Sequence, residues 1–242
     1  MTLLLLAGTF EARQVARGLA ERGVDTIASL AGETRAPEPL AIPTRTGGFG
    51  GRAGFETFLE QGNISAILDA THPFAAKISH RTAQVARQRG LPYCQLLRPA
   101  WRAGPGDDWT HVADESEAAK HIPAGARVLL ATGRKSLERF AQLSDCDVIL
   151  RVVDPPAEPF PYPNGRYRVA RPPYRLDDER ALLAELRVDF VVTKNSGGTV
   201  AYAKLLASRE LGVRVLMIDR PPQPEGCRVA TVKEALNWMD QL

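Results

Sequence analysis

The chain has 242 residues, 44% of them hydrophobic and 24% charged, with a formal net charge of +3. That length suits one large or two small domains, at the usual figure of about 150 residues per domain, and is enough to bury real cores. So mild a charge does not by itself argue for DNA or RNA, is compatible with an anionic small substrate, and no nucleic-acid partner is expected. No run approaches the ~18 apolar residues of a membrane span, and no cationic stretch marks a secretory leader, so a cytoplasmic protein with no membrane partner is expected.

In chain order, Leu3–Ala7 reads as a short buried strand, Ala7-Gly8-Thr9 as a tight small-residue turn and Glu11–Arg22 as an amphipathic helix. Further strands are predicted at Asp25–Leu30, Ile64–Ala70 and Pro92–Leu97, with helices at Gly54–Gln61 and Ala75–Arg89. Gly23 and Gly90 stand where helices end. Around Arg98–Asp108 the composition shifts to Pro, Gly, Asp and Trp, which is read as a domain boundary. Beyond it, strands are predicted at Arg127–Thr132, Asp147–Val153, Asp189–Thr193 and Arg214–Asp219. The second set of helices is Ser136–Leu143, Leu176–Arg187, Thr199–Leu211 and Val232–Gln241. Such alternation makes a parallel sheet with covering helices. The halves echo each other: one spacing separates Thr71 from Thr193, Gly90 from Gly212, and Arg98-Pro99 from Arg220-Pro221. Two similar α/β halves facing each other follow, residues 1–98 and 99–242.

The three cysteines, Cys94, Cys146 and Cys227, are far apart and lack C-x-x-C or Cys/His ligand spacing. Neither a disulfide framework nor a metal site is expected, and each is read as a small core residue in a reducing compartment. The segment Asp154–Tyr174 carries seven prolines with Arg166, Arg168 and Arg171. Proline there excludes helix and central strand. The segment is either a surface excursion with solvated arginines or a rigid, basic flap over an anionic ligand.

In open α/β sheets, ligands bind beyond the carboxyl ends of the strands. The residues at those ends are small, polar or cationic: Gly8-Thr9, Ser29, Thr71-His72-Pro73-Phe74, Thr132-Gly133-Arg134-Lys135, and Thr193-Lys194-Asn195-Ser196-Gly197-Gly198. The first turn has the geometry that seats a nucleotide phosphate on a helix N-terminus, though it holds only Gly8 of a G-x-G-x-x-G fingerprint, and a plain strand-turn-helix would read the same. No acid ends the second apolar run. Ser29 stands there with Arg35 shortly after, and a hydroxyl with an arginine suits a 2′-phosphate, so NADP(H) is favoured over NAD(H). Thr132-Gly133-Arg134-Lys135 reads as an anion cradle or as a capped helix with two exposed cations. The 193–198 stretch lacks the order of a P-loop. His72 can donate a proton near neutral pH, or serve as a structural histidine. Lys194 can donate one only if its pKa is lowered, and otherwise pairs with a carboxylate. A non-catalytic NADP(H)-sensing protein remains an alternative to an enzyme at this point.

Four stretches, in order over nearly the full length, carry a resemblance. Leu5-Leu6-Ala7-Gly8-Thr9-Phe10-Glu11-Ala12-Arg13, Asp69-Ala70-Thr71-His72-Pro73-Phe74-Ala75, Leu130-Ala131-Thr132-Gly133-Arg134-Lys135 and Thr193-Lys194-Asn195-Ser196-Gly197-Gly198 resemble the signatures of the precorrin-6A and cobalt-precorrin-6A reductase family. Ala7 departs from the glycine with which that family opens its turn. The resemblance implies two Rossmann-like domains, each a mainly parallel sheet with flanking helices, and an active site in the cleft between them. It implies an enzyme of cobalamin biosynthesis that reduces a C=C bond of a tetrapyrrole macrocycle to give precorrin-6B, with hydride from NADPH. The rival within the family is the cobalt-containing substrate reduced with NADH.

On this reading the N-terminal half binds the coenzyme through Gly8, Thr9, Phe10, Glu11, Ala12, Ser29, Ala31, Gly32, Arg35, Thr71 and His72. The other half clamps the polyanionic macrocycle through Thr132, Gly133, Arg134, Lys135, Arg171, Lys194, Asn195, Ser196 and Gly197. The proton that must follow the hydride comes from His72, Lys194 or a water held by Ser196. A monomer or small homo-oligomer without a metal is expected.

Overall fold

The computed structural model describes residues 1–32 and 38–242. The chain forms β1 (Thr2–Leu6), α1 (Phe10–Glu21), β2 (Thr26–Leu30), β3 (Thr44–Thr46), α2 (Gly51–Gln61), β4 (Ile64–Asp69), α3 (Ala76–Arg89) and β5 (Tyr93–Leu96). It continues with β6 (Trp109–Val112), α4 (Glu115–Lys120), β7 (Arg127–Ala131), a 3-10 segment (Arg134–Leu143), β8 (Asp147–Val152) and β9 (Gly165–Val169). Then come α5 (Leu176–Glu185), β10 (Phe190–Lys194), α6 (Ala203–Leu211), β11 (Arg214–Ile218), β12 (Cys227–Val229) and α7 (Val232–Met239).

Two compact units result: residues 1–99 with 221–242, and residues 100–220. Each holds a six-stranded, all-parallel sheet. The orders are β12-β5-β4-β1-β2-β3 and β6-β11-β10-β7-β8-β9, the same spatial arrangement twice, with the edge strand last in sequence in the first and first in the second. The edge strand beside β5 is β12, and the edge strand beside β11 is β6. β12 joins the first unit only after the chain has passed through the second, whereas β6 is the second unit's first strand, laid down as the chain arrives. Both crossings fall on the repeated Arg-Pro pair, after Pro99 and after Arg220. This corrects the expected second domain of residues 99–242, because the last 22 residues return to the first unit. Sequence periodicity reads each βα unit alone and cannot tell which sheet a three-residue edge strand joins.

The first sheet shows why a leucine run makes a central strand. Alternate side chains of β1 point to opposite faces. Leu3 and Leu5 pack with Val15, Ala16, Leu19 and Leu236 on one side. Leu4 and Leu6 pack with Phe55, Leu59 and Val85 on the other. A strand covered on both faces reads as a continuous apolar run rather than an alternating one. The returning α7 starts with a capping box, Thr231 with Glu234. It lies close on α1 at Gly18, where a Cβ would stand 2.7 Å from Leu236 Cδ1. Glycine inside a helix costs about 1 kcal/mol against alanine, and here it makes room for the neighbouring helix.

Several expectations change in detail. The helix expected at Ser136–Leu143 is a 3-10 segment, Arg134–Leu143, with non-helical dihedrals at Phe140. The proline-rich stretch contributes β9, an edge strand on β8. Its own residues, Gly165–Val169, hold no proline, and the prolines stand to either side of it. Cys94 and Cys146 are buried as expected, but Cys227 is exposed on β12, with its Sγ 2.8 Å from that of Cys94. Among the described residues no helix is long and apolar enough to cross a membrane.

The second unit buries charge. Arg151 and Glu179 form an ion pair at 2.9 Å, both nearly fully buried. Beside them the Lys204 ammonium, also buried, donates to the Ala201 carbonyl at 2.6 Å and lies 4.9 Å from the Trp101 ring centroid. Burial first, and then the Arg151 cation, pull Lys204 down to about 7, with Glu179 opposing. An unfolded lysine keeps its proton to about pH 10.4, so between these values the unfolded chain binds more protons and stability rises with pH. Replacing Lys204 by methionine is expected to remove that rise, which one proton limits to about 1.4 kcal/mol per pH unit. Urea unfolding of both proteins at pH 7 and pH 9.5 checks this, and parallel changes in the two would refute it.

Candidate functional site

Each sheet has one point where the chain order reverses: between β1 and β4 in the first unit, and between β7 and β10 in the second. Crevices beyond the strand carboxyl ends open at such points, and the conspicuous sequence stretches lie there.

In the first unit, Thr9 caps α1. Its hydroxyl accepts from the Ala12 amide at 3.1 Å and donates to the Ala70 carbonyl at 2.8 Å. One side chain thereby ties the β1 turn to the end of β4. The amides of Thr9, Phe10 and Glu11 are those that a helix start leaves without intrahelical partners. Gly8 has φ +129°, and a Cβ built there would meet nothing within 4 Å. This is open space beside a helix start, which a phosphate fits. Glu11, an acid in that first turn, is paired with Arg98, and both side chains are largely buried. The pair offsets the repulsion a lone carboxylate would exert on a phosphate.

At the end of β4, Asp69 is almost fully buried and accepts three hydrogen bonds. These come from the Thr71 amide at 3.0 Å, the Thr71 hydroxyl at 2.7 Å and the Tyr93 hydroxyl at 2.9 Å. Burial, and then the Asp69 carboxylate, push the Tyr93 phenol well above its ordinary value, so it stays a donor. His72 follows, half-buried, its Nδ1 accepting from the Phe74 amide at 3.3 Å. That bond leaves the proton of a neutral ring on Nε2.

Ser29 is the penultimate residue of β2, buried. Its hydroxyl accepts from Arg45 at 2.8 Å, and Arg45 also donates to the carbonyls of Gly47 and Gly48. The Arg45 guanidinium lies 4.2 Å from the Phe49 ring centroid. The arginine expected beside Ser29 was Arg35, which lies outside the described residues. Ala31 and Gly32 follow β2 and are exposed, with Gly32 at φ +81°.

In the second unit, Thr132 and Gly133 follow β7. Ser136 donates to the Thr132 hydroxyl at 2.8 Å and to the Gly133 carbonyl at 2.7 Å as alternatives. A Cβ at Gly133, φ +87°, would again meet open space. Arg134 and Lys135 are exposed. Lys194 ends β10 and spans to β7, with Nζ 2.9 Å from the Thr132 carbonyl and 3.1 Å from Glu115. Burial pushes the Glu115 carboxyl up, but its own backbone amide, Lys194 and Arg139 outweigh that and leave it below the ordinary range. Asn195 is locked: its side chain exchanges hydrogen bonds with the Trp101 backbone, and its carbonyl accepts from Arg220. Ser196 and Gly197 follow in the same loop, half-buried and buried. Arg171 sits apart, exposed and paired with Asp154 at 2.5 Å. Among the described residues, no three His, Cys, Asp or Glu side chains group so as to hold a metal ion.

A family model described as precorrin-6x reductase CbiJ/CobK matches residues 2–240. The chain belongs to that family. It is 43% identical to a precorrin-6A reductase of Rhodococcus erythropolis, over 99% of this chain and 98% of that protein. It is 42% identical to one of Rhodobacter capsulatus, over 98% and 95%. A cobalt-precorrin-6A reductase of Priestia megaterium is 29% identical over 97% and 96%. Among solved structures, one titled CobK precorrin-6A reductase superposes with TM-score 0.96 at 41% identity, covering all of this chain and 96% of that one. The precorrin-6x reductase family is thus shown over the full length. With it comes the oxidoreductase class, in cobalamin biosynthesis.

Sequence reasoning missed Arg45, Asp69 and Glu115. Asp69 was within reach, as an acid closing a buried apolar strand. Arg45 sits in the alternating Thr44-Arg45-Thr46, too short to stand out, and its link to Ser29 is tertiary. Replacing Asp69 by alanine orphans three donors, and each buried orphan costs about 1–3 kcal/mol. A loss of about 3 kcal/mol or more in urea unfolding is expected, whereas Tyr93→Phe should cost about 1 kcal/mol. Equal losses would show that Asp69 does not organise the loop.

Proposed function

We propose that this chain is a precorrin-6A reductase that uses NADPH to reduce one C=C bond of the metal-free macrocycle, giving precorrin-6B. The observation that carries the reading is the full-length likeness to reductases named for precorrin-6A, at 42–43% identity. Relatives named for the cobalt-containing substrate stand lower, at 29%. The choice of NADPH rests on Ser29 and Arg45. Among the described residues, a hydroxyl and a guanidinium stand paired where NAD-binding folds place a carboxylate on the ribose.

When bound, NADPH supplies the hydride. Gly8, Thr9 and the first-turn amides of α1 would hold its pyrophosphate, and Ser29 with Arg45 its 2′-phosphate. Thr71 and Asp69 shape the loop that presents His72. His72, with its proton on Nε2, is the proposed donor to the carbon next to the one reduced. Thr132, Gly133, Arg134, Lys135 and the 194–197 loop would hold the macrocycle's carboxylates. Lys194 is fixed there by Glu115 and acts as an oriented cation, and Ser196 offers a hydroxyl to substrate or to a water.

Two experiments test this reading. Arg45→Ala is expected to raise the KM for NADPH about ten- to a hundredfold, the worth of one charge-assisted phosphate contact, while the KM for NADH hardly moves. Equal effects on both would remove Arg45 from the 2′-phosphate. Arg35→Ala makes the same comparison for that residue. Lys194→Ala is expected to raise the KM for the macrocycle at least tenfold with NADPH affinity by fluorescence unchanged, and unaltered macrocycle kinetics would exclude Lys194 from its site. Oxidation of NADPH with cobalt-precorrin-6A but not precorrin-6A would overturn the assignment of the metal-free substrate.

A further inference from the structure

We infer that Cys94 and Cys227 form a thiol–disulfide exchange site that fastens the returning C-terminal segment to the first unit. The two residues are 133 positions apart in sequence. They are nonetheless direct register partners in the parallel ladder of β5 and β12. Neighbouring strands lie about 4.8 Å apart, within the Cα separation that a disulfide spans. Register partners in a parallel ladder project to the same face, and here the sulfurs touch, Sγ to Sγ at 2.8 Å.

The two thiols differ in access. Cys94 is fully buried in the core cluster with Leu68, Leu96 and Ala235. Cys227 is exposed. Burial, then the neighbouring Cys227, push the Cys94 thiol above its ordinary value, so Cys227 is the sulfur that meets a solution oxidant. The co-reactant is a low-molecular-weight disulfide. The Cys227 thiolate attacks one of its sulfurs, forming a mixed disulfide and releasing one thiolate. Cys94 then gives up its proton and attacks Cys227 Sγ, releasing the second thiolate. Two protein thiols are oxidised and one small disulfide is reduced to two thiols. The third cysteine, Cys146, is buried in the other unit and takes no part.

The position gives the bond a consequence. β12 is a three-residue edge strand with three register pairs to β5, and it is the link through which α7 is delivered to α1. A covalent link at Cys227 would hold that segment in place when the short ladder opens, and would close a loop around the whole of the second unit.

The test uses the full chain with oxidised glutathione as the probe. The titratable thiol count is expected to fall from three to one under native conditions, with a Cys94–Cys227 cross-linked peptide in the non-reducing digest. The thermal midpoint is expected to rise, and dithiothreitol should reverse it. Cys227→Ser, at an exposed position outside the proposed coenzyme and macrocycle sites, should keep both remaining thiols and show no rise. Three thiols that persist, a glutathione adduct on Cys227 that Cys94 never displaces, or a cross-linked chain that melts no higher than the reduced one would each overturn the proposal.

Discussion

The Thr9 hydroxyl is the contact on which the first unit's site depends. It has one proton and gives it to the Ala70 carbonyl, while its oxygen takes the Ala12 amide. The turn after β1 and the loop after β4 are thus held as one surface. Without that tie, α1's N-terminus and the Asp69–His72 corner would be two neighbouring loops, each free to adjust. The second unit reaches the same result with different chemistry. Lys194, at the end of the strand matching β4, reaches back to the Thr132 carbonyl at the end of the strand matching β1. A neutral hydroxyl makes the tie in the first unit and a cation makes it in the second.

The repeated topology explains why the chain is arranged as it is. In both sheets one edge strand, β6 or β12, comes just after a crossing marked by Arg-Pro; the second unit is continuous in sequence, and the first is complete only once the chain has returned to it. The first unit gains β12 and α7 from the far end of the sequence, and α7 covers α1 at Gly18. The helix that carries the candidate phosphate site is therefore supported by the last residues of the chain. A change near the C-terminus can reach that site through packing alone.

The central strands were legible because burial on both faces leaves long apolar runs, as at Leu3–Leu6, Ile64–Asp69 and Phe190–Lys194. The residues just after them were legible for the related reason that strand ends at a switch point face a crevice. What escaped were β3, β6, β9 and β12, short edge strands whose sequences are mostly exposed and whose partners are set by tertiary placement. Arg45 and Cys227 both sit on such strands. Each takes its meaning from a strand distant in sequence, so no local pattern announces it. Lys204 escaped for another reason. In sequence it is an ordinary helical lysine, and only the packing of Trp101 and the Arg151–Glu179 pair around it shows that its ammonium is buried.

The cations of the second unit come with partners: Lys194 with Glu115, Arg166 with Asp147, Arg171 with Asp154. A paired cation presents less net charge to an approaching polyanion, but its direction is fixed before the ligand arrives, and fixed geometry reduces the ordering that binding must impose. Arg134 and Lys135 add two exposed cations beside Gly133. Such a surface discriminates by the placement of carboxylates more than by their number. That accords with a chain whose net charge is only +3, where a large positive field would attract any polyanion. On the proposed function, recognition of a flat, carboxylate-fringed ring would depend on where Thr132, Lys194 and Asn195 are pinned, and those pins are hydrogen bonds within the fold rather than contacts the ligand must create.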